Sequence, residues 1–307
     1  MKIKIWIALI LVYIIWGATY LGIRVAVETI PPFLMAGTRF LLGGAVLYVW
    51  RRSAGDPRPT PGQWFRGALV GLLMLLGGNG LLSLAEKSVA SGISALIIGS
   101  SPLWMTAMEA LRPGGVRPNW LGILGLVVGF GGIAILVAPS LLQTNVASSE
   151  PVGIITLLFA AFFWSAGSIF SRSADLPKST LLSTGIEMLG GAAGLFLAGT
   201  ITGEWNHFVL TNVSMRSWIG LIYLTLFGTM VGFTAYAWLL RNAPVSLVST
   251  YAYVNPLVAI LLGSLLAQEP LTVQILLAAL VIVGSVVMIN VARQIRGRKR
   301  STIETVK

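Results

Sequence analysis

Ten apolar stretches of about twenty residues follow one another between Lys4 and Arg293, with scarcely a charge inside any of them. They cover roughly residues 5–23, 32–50, 65–85, 92–111, 120–138, 153–171, 180–201, 218–239, 246–267 and 271–292. A helix needs about 20 such residues to cross the hydrocarbon core of a bilayer. There, each backbone N–H and C=O must be satisfied inside the segment, so each run is expected to be helical. The loops are short apart from 51–64, 140–151 and 202–217, and no stretch is long enough for a separate soluble domain. The expected fold is an all-α integral membrane protein with ten transmembrane helices. The first run follows Lys2 and Lys4, is too long for a signal-peptide core and has no A-x-A site after it, so it reads as a retained span.

Composition agrees. Only 10% of residues are charged, against about 25% in a soluble domain. Without cysteine there is no disulfide and no thiolate metal site. The single histidine, His207, falls in a loop, which argues against a histidine-ligated metal or a histidine-based triad. Arg39 and Glu187 are the ionisable groups deep within runs, too sparse a set for an intramembrane enzyme. No cofactor and no catalytic residues are expected. The partners expected are the lipid bilayer and a small-molecule substrate, with proton coupling through Glu187; oligomeric state is left open.

A net charge of +11 would ordinarily raise the question of nucleic acid. Ten spans put both chain ends on one side, and assigning that side to the cytoplasm accounts for the charge. Seventeen lysines and arginines then lie inside: Lys2, Lys4, Arg51, Arg52, Arg58, Arg66, Arg112, Arg117, Arg172, Lys178, Arg241, Arg293, Arg296, Arg298, Lys299, Arg300 and Lys307. Three lie outside, Arg24, Lys87 and Arg216. This split follows the positive-inside rule and leaves no basic excess for nucleic acid. The tail from Arg293 to Arg300 is expected to anchor topology or to touch anionic lipid. Each outer loop carries one acid, namely Glu28, Glu86, Glu150, Glu204 or Glu269; helix-end solvation is the expectation for them.

The chain also repeats. Trp16 to Arg24 closes the first run and Trp164 to Arg172 the sixth, each with Trp and Arg eight apart. Leu42-Gly-Gly-Ala45 matches Leu189-Gly-Gly-Ala192. The pairs Trp64/Trp218 and Pro102/Pro256 share an offset of 154 residues. Five spans per half is odd, so the second half must insert upside down, as in inverted-repeat transporters. The expected units are 1–140, 150–293 and a basic tail, 294–307. Pro256 lacks an N–H and clashes four residues back, so the ninth helix is expected to weaken at Ala252. Ser100-Ser101-Pro102 is expected to break the fourth.

Taken together, Tyr13-Ile-Ile-Trp-Gly-Ala-Thr-Tyr20, Pro31-Pro-Phe-Leu-Met-Ala-Gly-Thr-Arg-Phe40, Gly77-Gly-Asn-Gly80, Ile186-Glu-Met-Leu189 and Ser249-Thr-Tyr-Ala-Tyr-Val-Asn-Pro-Leu257 resemble the drug/metabolite transporter superfamily, and within it proteins with two EamA domains. The resemblance runs from about residue 6 to 293. It implies ten spans in a bacterial inner membrane, both ends cytoplasmic, a cavity between the halves and export of small metabolites, often amino acids.

Candidate residues follow. Glu187 lies about seven residues into its run, roughly 10 Å deep at 1.5 Å per residue. It is a candidate proton carrier or partner for a substrate amine, or else a neutral structural carboxyl. Arg39 lies at similar depth from the opposite edge. It is a candidate for a substrate carboxylate, or else it caps carbonyls of a broken helix or snorkels outward. A direct Arg39–Glu187 contact would have to bridge roughly 10 Å of depth. Trp16 and Trp164 are deep; the resemblance makes them cavity walls, or else they pack closely against glycine-rich neighbour helices. Thr19, Tyr20, Asn79, Ser101, Pro102, Tyr236, Tyr251, Tyr253, Asn255 and Pro256 complete a mildly polar, aromatic set. Each alone reads equally as a helix–helix hydrogen bond. The glycine pairs 43–44, 77–78, 131–132 and 190–191 read as packing surfaces.

Overall fold

A computed structural model describes residues 2–112, 117–142, 150–243, 245–248 and 250–305. Ser249 and Lys307, which figure in the readings above, lie outside the described residues. Ten traverses are present. Six are continuous over their length: α1 (Lys2–Ala26), α2 (Pro32–Ser53), α5 (Trp120–Leu142), α6 (Glu150–Ser173), α7 (Thr180–Ile201) and α10 (Val273–Thr305). α10 continues as helix through the basic segment. α3 (Pro61–Ala85) and α8 (215–242) each contain a widened, π-helical stretch, Leu72–Gly80 and Leu224–Val231. α4 is two pieces, Ser91–Gly99 and Ser101–Leu111, and α9 is also two, Val245–Val248 and Tyr251–Ala267. Among the described residues, eight helices are long and apolar enough to cross a membrane, and the pieces of α4 and α9 complete the ten. Both chain ends therefore emerge at one end of the bundle.

The pairings obey an inverted two-fold. α2 packs on its own counterpart α7, α5 on α10, and α4 on α9. The other contacts come as exchanged pairs: α1 on α9 and α6 on α4, α1 on α8 and α6 on α3, α2 on α8 and α7 on α3. Small residues bring these backbones together, as expected where lipid gives no hydrophobic drive for helices to associate. At the α3–α7 crossing a Cβ on Gly71 would run into the carbonyl of Glu187, and one on Gly190 into Ala68. Gly43 abuts Thr229 and Gly44 abuts Met188. Gly132 meets Val281, but Gly131 has nothing within 4 Å and is exposed. That corrects the reading of Gly131 as a packing surface: on α5 it looks away from α10.

The breaks differ from expectation in one helix. Ser100, with φ −77° and ψ −2°, interrupts α4, and Pro102 sits in the first turn of the second piece, where its missing N–H costs nothing. In α9 the interruption comes earlier than Ala252. The first piece ends at Val248 and the second starts at Tyr251, so Pro256 lies inside a helix that begins only five residues before it. The break supplies a new helix start, and Pro256 is accommodated near it.

The two ends of the bundle are closed differently. The largest buried cluster includes Ile23, Ala26, Ile30, Leu82, Ala85, Val89, Ile154, Leu221 and Ile260 at the end remote from the termini, and continues through Leu103, Ile282, Val286 and Ile289 toward the other end. The termini end holds a smaller one: Ala8, Leu9, Val12, Leu239 and Val248. The acids of the remote loops are not mere helix-end solvation. The α2 and α4 N-termini have no side-chain cap of their own neighbourhood, and each receives one from the other half. Gly203, at φ +74°, turns the chain so that Glu204 accepts from Phe33 N at 3.2 Å and Leu34 N at 3.0 Å. Gln268, at φ +55°, does the same for Glu269, which accepts from Ser91 N at 2.8 Å and Gly92 N at 3.1 Å. A carboxylate on free helix-start N–H groups is favoured by both hydrogen bonding and the helix dipole.

Candidate functional site

Trp16 is the hub of the candidate site. It lies midway along α1, ringed by Phe233 at 5.2 Å, Tyr236 at 5.1 Å and Tyr251 at 5.2 Å between centroids. Tyr236 and Tyr251 meet edge-on at 5.6 Å. A mid-membrane indole must place its N–H, and here the widened turn of α8 takes it: Trp16 Nε1 donates to Gly228 O at 3.1 Å. A π-helical turn leaves its carbonyls out of the ordinary ladder, and such turns recur at functional sites. Gly232 lacks the Cβ that would strike the indole.

The same turn receives Arg39. Its Nε donates to Thr229 Oγ1 at 2.8 Å, and Thr229 Oγ1 donates on to Leu224 O at 3.0 Å. Arg39 is buried, with its guanidinium 4.8 Å over the Phe40 ring. Gly228 is flanked by Thr19 and Arg39, and Thr19 Oγ1 donates to Trp16 O at 2.6 Å. The α9 break joins on the other side. The Tyr13 hydroxyl pairs with Thr250 Oγ1. With its amide turned so that the nitrogen faces these acceptors, Asn255 donates to Tyr13 O at 3.3 Å and Tyr251 O at 3.1 Å, which would staple α1 to α9. Gly17 allows that approach, because its face lies against Val258 and Asn255 O.

The expected residues thus fall into two groups. Trp16, Thr19, Arg39, Tyr236, Tyr251 and Asn255 converge where α1, α2, α8 and α9 meet. Trp164, Asn79, Ser101 and Pro102 lie on the exchanged counterpart, α6 against α3 and α4. There Trp164 rests on Gly78 of the other π-helical stretch, and Ser165 Oγ donates to Ser101 O at 3.1 Å. Asn79 Oδ1 is buried without a hydrogen-bond partner. Tyr20 packs on the large remote-end cluster, and Tyr253 pairs with Asn290 of α10. Pro256 is buried against Gly99. Glu187 accepts from Ser183 Oγ at 2.9 Å, one turn back on its own helix. Arg39 and Glu187 form no ion pair with each other among the described residues.

Sequence reasoning missed Gly228 and Thr229, which hold the hub in place, and Phe233, Tyr13 and Thr250 around it. A Gly-Thr pair inside the apolar run 224–232 was the available signal. It also passed over Trp104, which follows Pro102, meets Phe130 and Phe162 edge-on, and keeps a buried, unpartnered Nε1. Beside the hub an open groove of about 490 Å³ runs along α1 and α8, lined by Ala8, Met230, Val231, Thr234, Ala235 and Trp238.

The comparisons with known proteins agree with this architecture. The model of the EamA-like transporter family matches residues 3–138 and again 151–291. The chain is 37% identical over 288 residues to "Uncharacterized inner membrane transporter YedA" of Escherichia coli K12, covering 93% of this chain and 90% of that one. It is 27% identical to the "Probable amino-acid metabolite efflux pump" of the same organism, covering 90% and 91%. A crystal structure at 20% identity shares the fold, with a TM-score of 0.62 over 94% of this chain and 98% of the other. Two matched repeats, ten traverses related by an inverted two-fold and this degree of identity place the chain in the EamA-like transporter family, as a multi-pass membrane protein.

Proposed function

We propose that the protein is a secondary carrier that exports small organic solutes, amino acids or related amphipathic molecules, by rocking one five-helix half against the other. The N- and C-termini face the cytoplasm, and the end remote from them faces outward. The basic residues crowded at the termini end support this orientation. The protein needs no catalytic residue for this task.

The observation that carries the reading is the Trp16 hub. It joins α1 of one half to α8 and α9 of the other at mid-depth. Its inner surface is aromatic with a few hydroxyls, which suits a neutral or zwitterionic solute with an apolar side chain. Arg39 holds the α8 turn against the hub through Thr229. Glu187 is the candidate for coupling inside the bilayer. A relative named as an amino-acid metabolite efflux pump supports the choice of substrate class.

Counterflow in proteoliposomes tests the proposal. Vesicles preloaded with one unlabelled amino acid should accumulate its labelled form transiently with no imposed gradient. Trp16→Ala should abolish accumulation, and Trp205→Ala, at the exposed rim, should not. Passive, saturation-free leak of every solute tested would overturn the carrier in favour of a facilitator. The open groove along α1 and α8 favours a second reading, in which an acyl chain enters from the side. Translocation of a fluorescent phospholipid, blocked by Ala235→Trp, would support it.

A further inference from the structure

We propose that Glu86 is a proton-binding carboxyl that operates an outer latch: protonated it keeps the outer end shut, and ionised it favours opening. This rests on the alternating-access reading above. Glu86 follows α3 directly, in the outer turn, and is 1% exposed, yet among the described residues both of its carboxylate oxygens lack a hydrogen-bond partner. Its charged neighbours Arg24 and Glu269 are both engaged. Arg24 Nη1 donates to the carbonyls of Glu86 at 3.2 Å and Val89 at 2.7 Å, and its Nε lies 3.4 Å from Glu269. Glu269 in turn holds the start of α4. The turn 86–90 is therefore tied to α1 and to the end of α9, one contact from each half, and carries the bare carboxyl inside the tie.

A carboxylate buried without partners is far more costly than the neutral acid. Burial holds the Glu86 carboxyl well above the usual carboxylate range; Arg24 opposes this and Glu269 adds to it. The ionisable groups facing it are Arg24 and Tyr20 from α1 and Glu269 from the segment after α9. α6, packed on this turn through Gly153 against Ser88 and Val89, brings Glu150 at its outer end. α2 brings no ionisable group at this level.

The sign follows from linkage. Opening lets water reach Glu86 and returns it to the ordinary range near pH 4. Between that value and the raised one, the shut form binds one more proton than the open form. The shut form is thus fully favoured at low pH and loses its advantage as pH rises through the raised value. One proton makes the open fraction rise about tenfold per pH unit in that window.

The chain has no cysteine, so a single introduced thiol reports cleanly. Val89→Cys places it in the shut end, where Val89 is 0% exposed, and Leu271→Cys places a reference on the surface. Labelling by a membrane-impermeant maleimide would be measured in proteoliposomes from about pH 5.5 to 8.5. The rate at 89, divided by that at 271, should climb with pH, by up to about tenfold per unit below the raised value, and level off above it. It should be flat and low with Glu86→Gln, and keep its slope with Glu86→Asp. A flat ratio in the parent, the same slope in Glu86→Gln, or a response to sodium instead of protons would overturn the proposal. If Glu86→Gln does not fold, the infrared carbonyl band of a protonated carboxyl, shifted in Glu86→Asp, decides the matter, and its absence is fatal to the idea. Counterflow separates the two readings. No counterflow with the slope intact would sink the carrier and leave the latch, and the reverse result would sink the latch alone.

Discussion

The two ends of the bundle are built from the same repeat, inverted, and yet they are held by different physics. At the remote end, Glu204 and Glu269 each reach across from the second half to the uncapped start of a helix in the first. These bonds are charge-assisted and sheltered, and the large apolar cluster sits beneath them. At the termini end the tie of comparable span is Arg66 to Asp175 at 3.0 Å, with side chains 44% and 67% exposed. Asp56 stands close to where an equivalent of Glu204 would fall, but it is spent locally on Arg51 and Arg52. Symmetry of fold therefore does not give symmetry of closure. Among the described residues the remote end is held by carboxylate caps that cross between the halves, and the termini end by an exposed ion pair.

The largest effect that tests this contrast is at Glu269. Glu269→Ala should cost about 3 kcal/mol, because it strips the start of α4 and leaves Arg24 without its carboxylate. Thermal unfolding in detergent would show the loss, and a buried thiol at position 89 should become reactive. Retained stability together with an unreactive thiol would mean that the apolar cluster closes this end unaided. Glu204→Ala should be milder, about 1–2 kcal/mol, the ordinary range for losing a helix cap, since no arginine is orphaned. If the two variants proved equal, the Arg24 tie would be contributing nothing.

Much of this molecule is written in the chain at the level of spans. Apolar run length sets the ten traverses, and the Trp–Arg and Leu-Gly-Gly-Ala matches reveal the inverted repeat, because both are local patterns. The candidate site was legible in its aromatic members. Trp16, Tyr236 and Tyr251 do meet, since depth along a span can be counted from its edge. The π-helical turns were not legible. Widening at Leu224–Val231 and Leu72–Gly80 adds no residue type that periodicity detects, yet it frees Gly228 O and positions Thr229. The role of the outer acids was hidden for a similar reason. Glu204 and Glu269 cap helices some 170 to 180 residues away in sequence, and such a pairing belongs to tertiary structure alone. Pro256 marked the right helix and the wrong turn, because α9 is broken between Val248 and Tyr251 and absorbs the proline beyond the break.

The smallest expected effect sharpens the contrast most. Arg66 and Asp175 hold the termini end across water, where screening and side-chain entropy leave an ion pair worth well under about 1 kcal/mol. Arg66→Ala or Asp175→Ala should leave thermal stability nearly unchanged, and the double variant should show little coupling between the two. Raising salt to about 1 M, where the screening length falls to about 3 Å, should mimic the substitutions at the termini end. It should barely alter labelling at position 89, whose latch is sheltered from solvent. A salt response that was larger at the remote end would reverse the assignment, making the exposed pair the structural tie and the buried carboxylates the labile one.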